Sequence, residues 1–281
     1  KICKGLPLSV VSVSGTLKAI EREQDRWEQV AESLWLKEPN NPLGQHSVIL
    51  ELCYHHLPNF LKPCFLYFGG FREDAVIPVS KLLWLWIAEG FIHQTNPSQK
   101  SLKNEAENFL NDLIDRNLVM VAERSSRGRV KSCHVHDLLH DFCLAKSEEE
   151  NFLLHMKRYD QRLTTSADSV MHEAYRLCIH SDKYVVPPGP LRARSLFFWS
   201  FLSNDRSSML TCALQFRLLR VLDLSHIHVV SGVDEQDFIK ITNLVHLRYL
   251  AIWIGCQSIP SEIENLQNLE SLILMKSSTR Y

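Results

Sequence analysis

Apolar residues recur along this chain with a helical period up to Arg116, and with the period of two of a β-strand at several places after it. Between Leu6 and Leu36, Ile20, Trp27, Val30, Ala31 and Leu34 keep helix-like spacing. Pro7 suits a first helical turn, and the pattern breaks at Pro39-Asn40-Asn41-Pro42. A helix is expected from about Ser47 to His56, with an interruption at Leu57-Pro58 and a continuation from Leu61 to Phe68. Lys81–Ala88, with the apolar run LLWLWIA within it, reads as a buried helix closed by Gly90. From Lys103 to Arg116, Ala106, Phe109, Leu110, Leu113 and Ile114 form a stripe at i, i+3, i+4, i+7 and i+8. Leu118–Ala122 and Val130–Val135 are two short β-prone runs. They flank Ser125-Ser126-Arg127-Gly128, which predicts a hairpin.

Helices followed by a hairpin make a winged-helix module. Beyond it the charged stretch Lys146–Glu150 and a polar segment to about Ser169 separate a second texture. Phe216, Leu219, Leu222 and Leu224 share the spacing L-x-x-L-x-x-L-x-L with Leu244, Leu247, Leu250 and Ile252, and again with Leu266, Leu269, Leu272 and Leu274. These sets lie 28 and 22 residues apart, as leucine-rich repeats do. Chance leucine periodicity in an amphipathic helix does not explain them, because x-L-x-L puts its last two leucines on one face of a strand. Leu177-x-Ile179 and Leu196-x-Phe198 resemble degenerate strands of a capping region upstream.

Composition changes this picture little. The 281 residues allow two domains or three small ones, and 45% hydrophobic against 22% charged residues is ordinary for a globular protein. The formal net charge of -1 argues against nucleic acid or an anionic membrane as the main partner. Eight cysteines without a C-x-x-C pair read as buried reduced thiols, which suits a cytoplasmic protein. Residues 1–20 mimic a signal peptide, but serines and a threonine interrupt the apolar run and no convincing cleavage site follows. An origin within a larger protein is expected instead. No run of 18 apolar residues is present to span a membrane.

The stretch Cys133-His134-Val135-His136-Asp137-Leu138-Leu139-His140-Asp141-Phe142-Cys143 raises the one metal question. His136-Asp137-x-x-His140 is one residue from the H-E-x-x-H of zinc proteases. That chemistry needs both histidines within one helix, and here the strand run reaches Val135, so His136 or Asp137 falls at the helix N-cap. No third ligand follows in LAKSEEENF, and Asp shortens the general base. No metal site and no catalytic residue is expected. A helix N-terminus favours an anion instead, and a histidine there can donate to a phosphate. The plain alternative is that Asp137 caps the helix and His136 is a partly buried spacer.

Several blocks resemble a known family in that family's order. Gly5-Leu6-Pro7-Leu8 is similar to the GLPL motif of plant NB-ARC disease-resistance proteins. Residues 52–68, LCYHHLPNFLKPCFLYF, resemble their L-S-Y-x-x-L-P-x-x-L-K-x-C-F-L-Y-F block, and Lys81–Ile92 resembles the helix after it. Val135-His136-Asp137-Leu138 falls where the family has M-H-D-L, and leucine-rich repeats follow, so the resemblance covers essentially the whole chain. The long block is the most specific; GLPL alone is weak. Three departures stand out: Arg72 replaces the Pro of F-P-E-D, Val135 the Met of the M-H-D motif and Cys53 the usual Ser. No G-x-x-x-x-G-K-S/T occurs, so the phosphate cradle and magnesium ligand of a P-loop are absent from these residues. Hydrolysis by this chain alone is physically unsupported.

The resemblance implies a multidomain α+β chain. It would comprise a helical subdomain (1–40), a winged-helix subdomain (41–145), a linker (146–169) and the start of an α/β leucine-rich-repeat solenoid (170–281). It implies an ADP/ATP switch, ADP off and ATP on, with Pro7 near the adenine, His136 on the β-phosphate and Asp137 holding the helix start. Pro7 reads equally well as an ordinary first-turn proline. The aromatic residues Phe65, Tyr67, Phe68, Trp84 and Trp86 are expected in the winged-helix core. Implied partners are a pathogen effector or a host guard or co-receptor protein, the P-loop domain, and further copies on activation. Recognition or autoinhibition would use the strand face carrying Arg220, Asp223, Arg248, Tyr249, Ala251, Ser271 and Ile273. Two other classes stay open. A winged-helix transcription factor needs a basic recognition helix, yet Lys103–Arg116 carries Glu105, Glu107, Asp112 and Asp115 against two cations. A leucine-rich-repeat adaptor would need no nucleotide.

Overall fold

The computed structural model describes residues 14–15, 42–93, 101–156, 174–179, 192–199, 206–226, 232–255 and 258–276. The chain divides into two units, residues 1–87 with 91–146, and residues 88–90 with 147–281. Apart from Ser14 and Gly15, the expected helical subdomain at 1–40 lies outside the described residues.

The first unit begins with α1 (Pro42–His55), five residues earlier than its apolar pattern suggests. Pro42 opens the helix rather than breaking the chain, since a proline loses nothing at a first helical position. The short α2 (Lys62–Leu66) runs into a 3-10 turn, Tyr67–Gly70, and Pro63 lies in its first turn. Strand β1 (Ile77–Pro78) leads into α3 (Val79–Glu89). Gly90, at φ +79°, ends α3, and the Phe91 N–H reaches back to the Trp86 carbonyl at 3.0 Å. Helix α4 (Leu102–Asp115) is capped by Ser101, which accepts from the Asn104 N–H.

The hairpin forms as β2 (Met120–Arg124), two residues later than its apolar pattern suggests, and β3 (Val130–His134), which starts where expected. Asn117 turns left-handed at φ +59°, and the Leu118 and Val119 N–H groups close on the Leu113 carbonyl. Those two apolar residues therefore terminate α4 rather than open β2. The sheet runs β1-β3-β2, antiparallel throughout. After β3 comes α5 (Asp137–Glu149). Phe65, Tyr67, Phe68 and Trp86 are all buried in the core as expected, while Trp84 is only partly covered.

In the second unit β4 (Leu154–Met156), β5 (Arg176–Ile179), β6 (Ser195–Phe198), β7 (Val221–Asp223), β8 (Tyr249–Ile254) and β9 (Ser271–Lys276) pair in parallel in chain order. Between them lie α6 (Arg206–Ala213) and α7 (Glu235–Ile241). Register places Leu154, Leu177, Leu196, Leu222, Leu250 and Leu272 in one column across all six strands. That is the L-x-L spacing made physical: side chains two apart share a face, and each repeat adds its leucines to the same core. One expectation changes here. Residues 146–169, expected as linker, begin with the end of α5 and then supply β4; residues 157–169 lie outside the described residues.

The strand face expected to serve recognition or autoinhibition is partly buried. Asp223, Tyr249 and Ala251 on it are buried, at 1%, 0% and 0% exposure, and Arg220, Arg248, Ser271 and Ile273 are partly covered. Cys178, Ser195, Phe197 and Val221 in the same register are buried too. A parallel sheet is covered on both faces as a rule, and the Cys, Phe, Val, Tyr and Ala of this second face are residues of a buried surface.

Candidate functional site

The site is the junction of β3 and α5. Cys133 is fully buried and Val135 nearly so, so the chain is fixed on one side before it turns outward at His136. His136 is the residue that caps the helix. Its carbonyl accepts from the Leu139 N–H at 2.8 Å and the His140 N–H at 2.9 Å, and its Nδ1 accepts from the Leu138 N–H at 3.3 Å. Asp137, expected to hold the helix start by capping, is instead the first helical residue, at the positive end of the helix dipole. Both side chains are exposed. An Nδ1 that accepts a backbone N–H carries no proton, so the neutral imidazole carries its proton on Nε2. The cap therefore leaves an N–H donor on an exposed ring at the N-terminus of a 13-residue helix.

One turn on, His140 does something different. It is buried, at 6% exposure, and its Nε2 donates to the Phe71 carbonyl at 2.9 Å. Its Nδ1 is buried without a hydrogen-bond partner. The two histidines of the H-D-x-x-H pattern thus point their donors at unlike surroundings, one at solvent and one at a backbone carbonyl. Among the described residues no three His, Cys, Asp or Glu side chains converge as metal ligands. The flanking thiols are buried: Cys133 is pushed up to about 12 and Cys143 well above the usual range, both by burial. Such thiols stay protonated at neutral pH and act as small apolar side chains.

What holds α5 in place was not visible in the sequence. Gly69 lies so close that a Cβ there would sit 3.2 Å from the Cys143 carbonyl carbon and the Leu144 nitrogen. The Cys143 Sγ donates to the Phe65 carbonyl at 3.3 Å, and the Phe142 ring meets Tyr54 edge-on at 5.7 Å. Near the helix end the Lys146 ammonium pairs with Glu51 at 2.8 Å and lies 5.7 Å from the Tyr54 ring centroid. The glycine needed for close approach is the only one of these with a sequence signal, and a Gly-Gly pair ending a helix reads first as a cap. Pro7 lies outside the described residues, so the structure brings together His136 and Asp137 but not the third expected site residue.

Comparison with known proteins follows the same division. Residues 71–143 match the family described as disease resistance protein winged helix domain, a span that ends within α5 at Cys143. Residues 192–280 match a leucine-rich repeat region. Three late blight resistance protein homologs of Solanum demissum are 43%, 42% and 40% identical over 98%, 99% and 99% of this chain. The chain spans about a fifth of the length of these curated relatives, at 20%, 22% and 21%. No helix among the described residues is long and apolar enough to cross a membrane.

Proposed function

We propose, from the premise that this chain belongs to the plant NB-ARC leucine-rich-repeat disease-resistance proteins, that it is the winged-helix and first-repeat part of a nucleotide-gated immune receptor. In this reading ADP holds the off state, ATP accompanies the on state, and the receptor works in the cytoplasm as a switch rather than an enzyme. The observation that carries it is the hydrogen bond from the Leu138 N–H to His136 Nδ1. With Nδ1 engaged, the exposed Nε2–H is left as a donor at a positive helix end. That arrangement fits a phosphate. ADP would supply a β-phosphate to accept from it, with Asp137 beside the helix start and Pro7 near the base. The phosphate cradle and magnesium ligand would come from a P-loop domain outside these residues.

A donor that meets the ligand in only one state biases the equilibrium toward that state. The repeats would carry recognition or autoinhibition, toward a pathogen effector or a host guard protein, and activation would allow assembly with further copies.

The test separates the donor from the cap. Asn is a strong N-cap, so His136→Asn keeps the acceptor for the Leu138 N–H and deletes the Nε2–H. In the complete receptor this variant is expected to lose about five- to hundredfold in ADP retention, the effect of one charge-assisted bond worth about 1 to 3 kcal/mol. Signalling without a ligand is expected to rise. His140→Ala should change stability and leave basal signalling alone. If His136→Asn retains ADP as the parent does, the residue is only a cap and the adaptor reading takes over.

A further inference from the structure

The turn that carries α5 into β4 borders a cavity that neither the core nor the nucleotide reading uses. Its volume is about 400 Å³, the size of a small-molecule site, and its lining residues all belong to the second unit. Glu148 and Asn151 come from the end of α5 and the turn after it, and Tyr175 and Arg192 from just ahead of β5 and β6. The backbone around it is fixed. Asn151 takes φ +50°, and the Asn151 and Phe152 N–H groups close on the Glu148 and Ser147 carbonyls at 3.2 and 2.8 Å, a helix ending that sets one path into β4. Arg176 donates to the Phe152 carbonyl at 3.3 Å and lies 4.3 Å from the Phe152 ring centroid, which ties that turn to β5. The Ser195 N–H donates to the Tyr175 carbonyl at 3.2 Å and holds the start of β6 beside the start of β5.

The lining mixes three kinds of surface. Leu153 is buried, Leu154 and Ala174 are half-buried, and Tyr175 keeps 45% of its surface exposed, an aromatic side chain left at the cavity instead of in the core. Glu148 and Arg192 are exposed, and among the described residues neither forms an ion pair, with the other or with a third residue. A carboxylate and a guanidinium that share one cavity without meeting leave two opposite charges to be matched separately. A phosphate satisfies Arg192 and is repelled by Glu148; a polyamine does the reverse; a purely apolar molecule strands both. The Asn151 amide adds a donor and an acceptor side by side.

We propose that this cavity binds a small zwitterion with an apolar body, of the size of a dipeptide. The ligand ammonium group pairs with Glu148, and its carboxylate takes the planar fork of Arg192, whose two parallel N–H groups match two carboxylate oxygens. The peptide group offers one donor and one acceptor to the Asn151 amide, which a free amino acid lacks. The apolar side chains cover Leu153, Leu154, Ala174 and the Tyr175 ring. The site uses neither His136 nor any part of the nucleotide reading.

The probe is the dipeptide leucyl-phenylalanine, titrated calorimetrically into the whole chain. Saturable binding is expected, with a dissociation constant on the order of 100 μM for a ligand of this size. Glu148→Gln and Arg192→Gln are each expected to weaken it at least about fivefold. Both side chains are exposed and unpaired, so these variants should melt at the parent temperature, and a loss of binding then reports the contact and not the fold. Acetylating the dipeptide amine should cost as much as Glu148→Gln, and the two losses should not add. Amidating its carboxylate should stand in the same relation to Arg192→Gln. Ala174→Trp, which fills the cavity, should abolish binding, while Arg127→Gln on the hairpin tip should bind as the parent does. Absence of saturable binding overturns the proposal. So does equal binding of the dipeptide blocked at both ends, full additivity of a blocked terminus with its matching variant, or an equal loss in Arg127→Gln.

Discussion

The two units are built on opposite principles. In the winged helix, α5 is held by contacts between residues far apart in the chain: Phe71 to His140, Phe65 to Cys143 and Glu51 to Lys146, at separations of 69, 78 and 95 residues. Each is a different chemistry and none repeats. In the second unit one leucine column crosses six strands, and each strand pairs only with the strands before and after it. The first arrangement makes a single precise place; the second makes a surface that can be lengthened. A switch needs the first, because a donor at His136 is useful only if the helix beneath it has one position. Recognition suits the second, where variation in one repeat leaves the others intact.

Truncations of the core separate the two units most sharply. Trp86→Ala, at a fully buried indole, is expected to cost about 3 to 5 kcal/mol, and Leu250→Ala about 2 to 5 kcal/mol. Hydrogen exchange resolved along the chain distinguishes their reach. Trp86→Ala should speed exchange throughout the winged helix, α5 included. Leu250→Ala should act on β7, β8 and β9 and leave β4 close to the parent rate. If β4 opens as much as β9, the repeats fold as one block and the contrast between the units fails.

A smaller effect is expected at Gly69. A methyl there meets backbone atoms of Cys143 and Leu144 at 3.2 Å, which cannot swing away as a side-chain tip can. Gly69→Ala is expected to destabilise the winged helix by about 1 to 3 kcal/mol, measured as the shift in its unfolding midpoint. Gly128→Ala, on the hairpin tip, meets nothing within 4 Å and strains only its own φ of +79°. An equal loss at the two sites would show that close packing of α5 is not what Gly69 provides.

The difference between the units also explains what the sequence could disclose. Repeats announce themselves, because each leucine column is written several times at 28- and 22-residue offsets; even the degenerate Leu177 and Leu196 strands fall in register. Strand β4 escaped because a Leu-x-Met pair beside a charged run has no copy of its spacing. The burial of Asp223, Tyr249 and Ala251 on the second strand face was hidden for a related reason: alternation marks two faces of a strand, and only composition hints at how far each is buried. In the winged helix, the helices and the hairpin were legible from periodicity and caps, with errors of a few residues where Pro42 starts a helix and Asn117 ends one, but the two-residue β1 was not. Its packing was not. No spacing rule links Phe71 to His140, and a lone glycine does not say which backbone will approach it.

The smallest expected effect compares two helix caps, one in each unit. Asp234 caps α7 by accepting from the Asp237 N–H at 2.9 Å, and His136 caps α5 by accepting from the Leu138 N–H at 3.3 Å. Asp234→Ala removes an ordinary capping carboxylate and is expected to cost about 1 kcal/mol, confined to α7 and its neighbours. His136→Asn replaces one acceptor by a better one, so the winged-helix midpoint should stay within about 0.5 kcal/mol of the parent or rise. A histidine is a weak choice for a cap when Asn, Asp or Ser would serve. Stability unchanged or improved on His136→Asn would mean that the ring is kept for its free Nε2–H rather than for the helix. A loss as large as that at Asp234 would place the value of His136 in the fold, and the difference between the two units would then be one of packing alone.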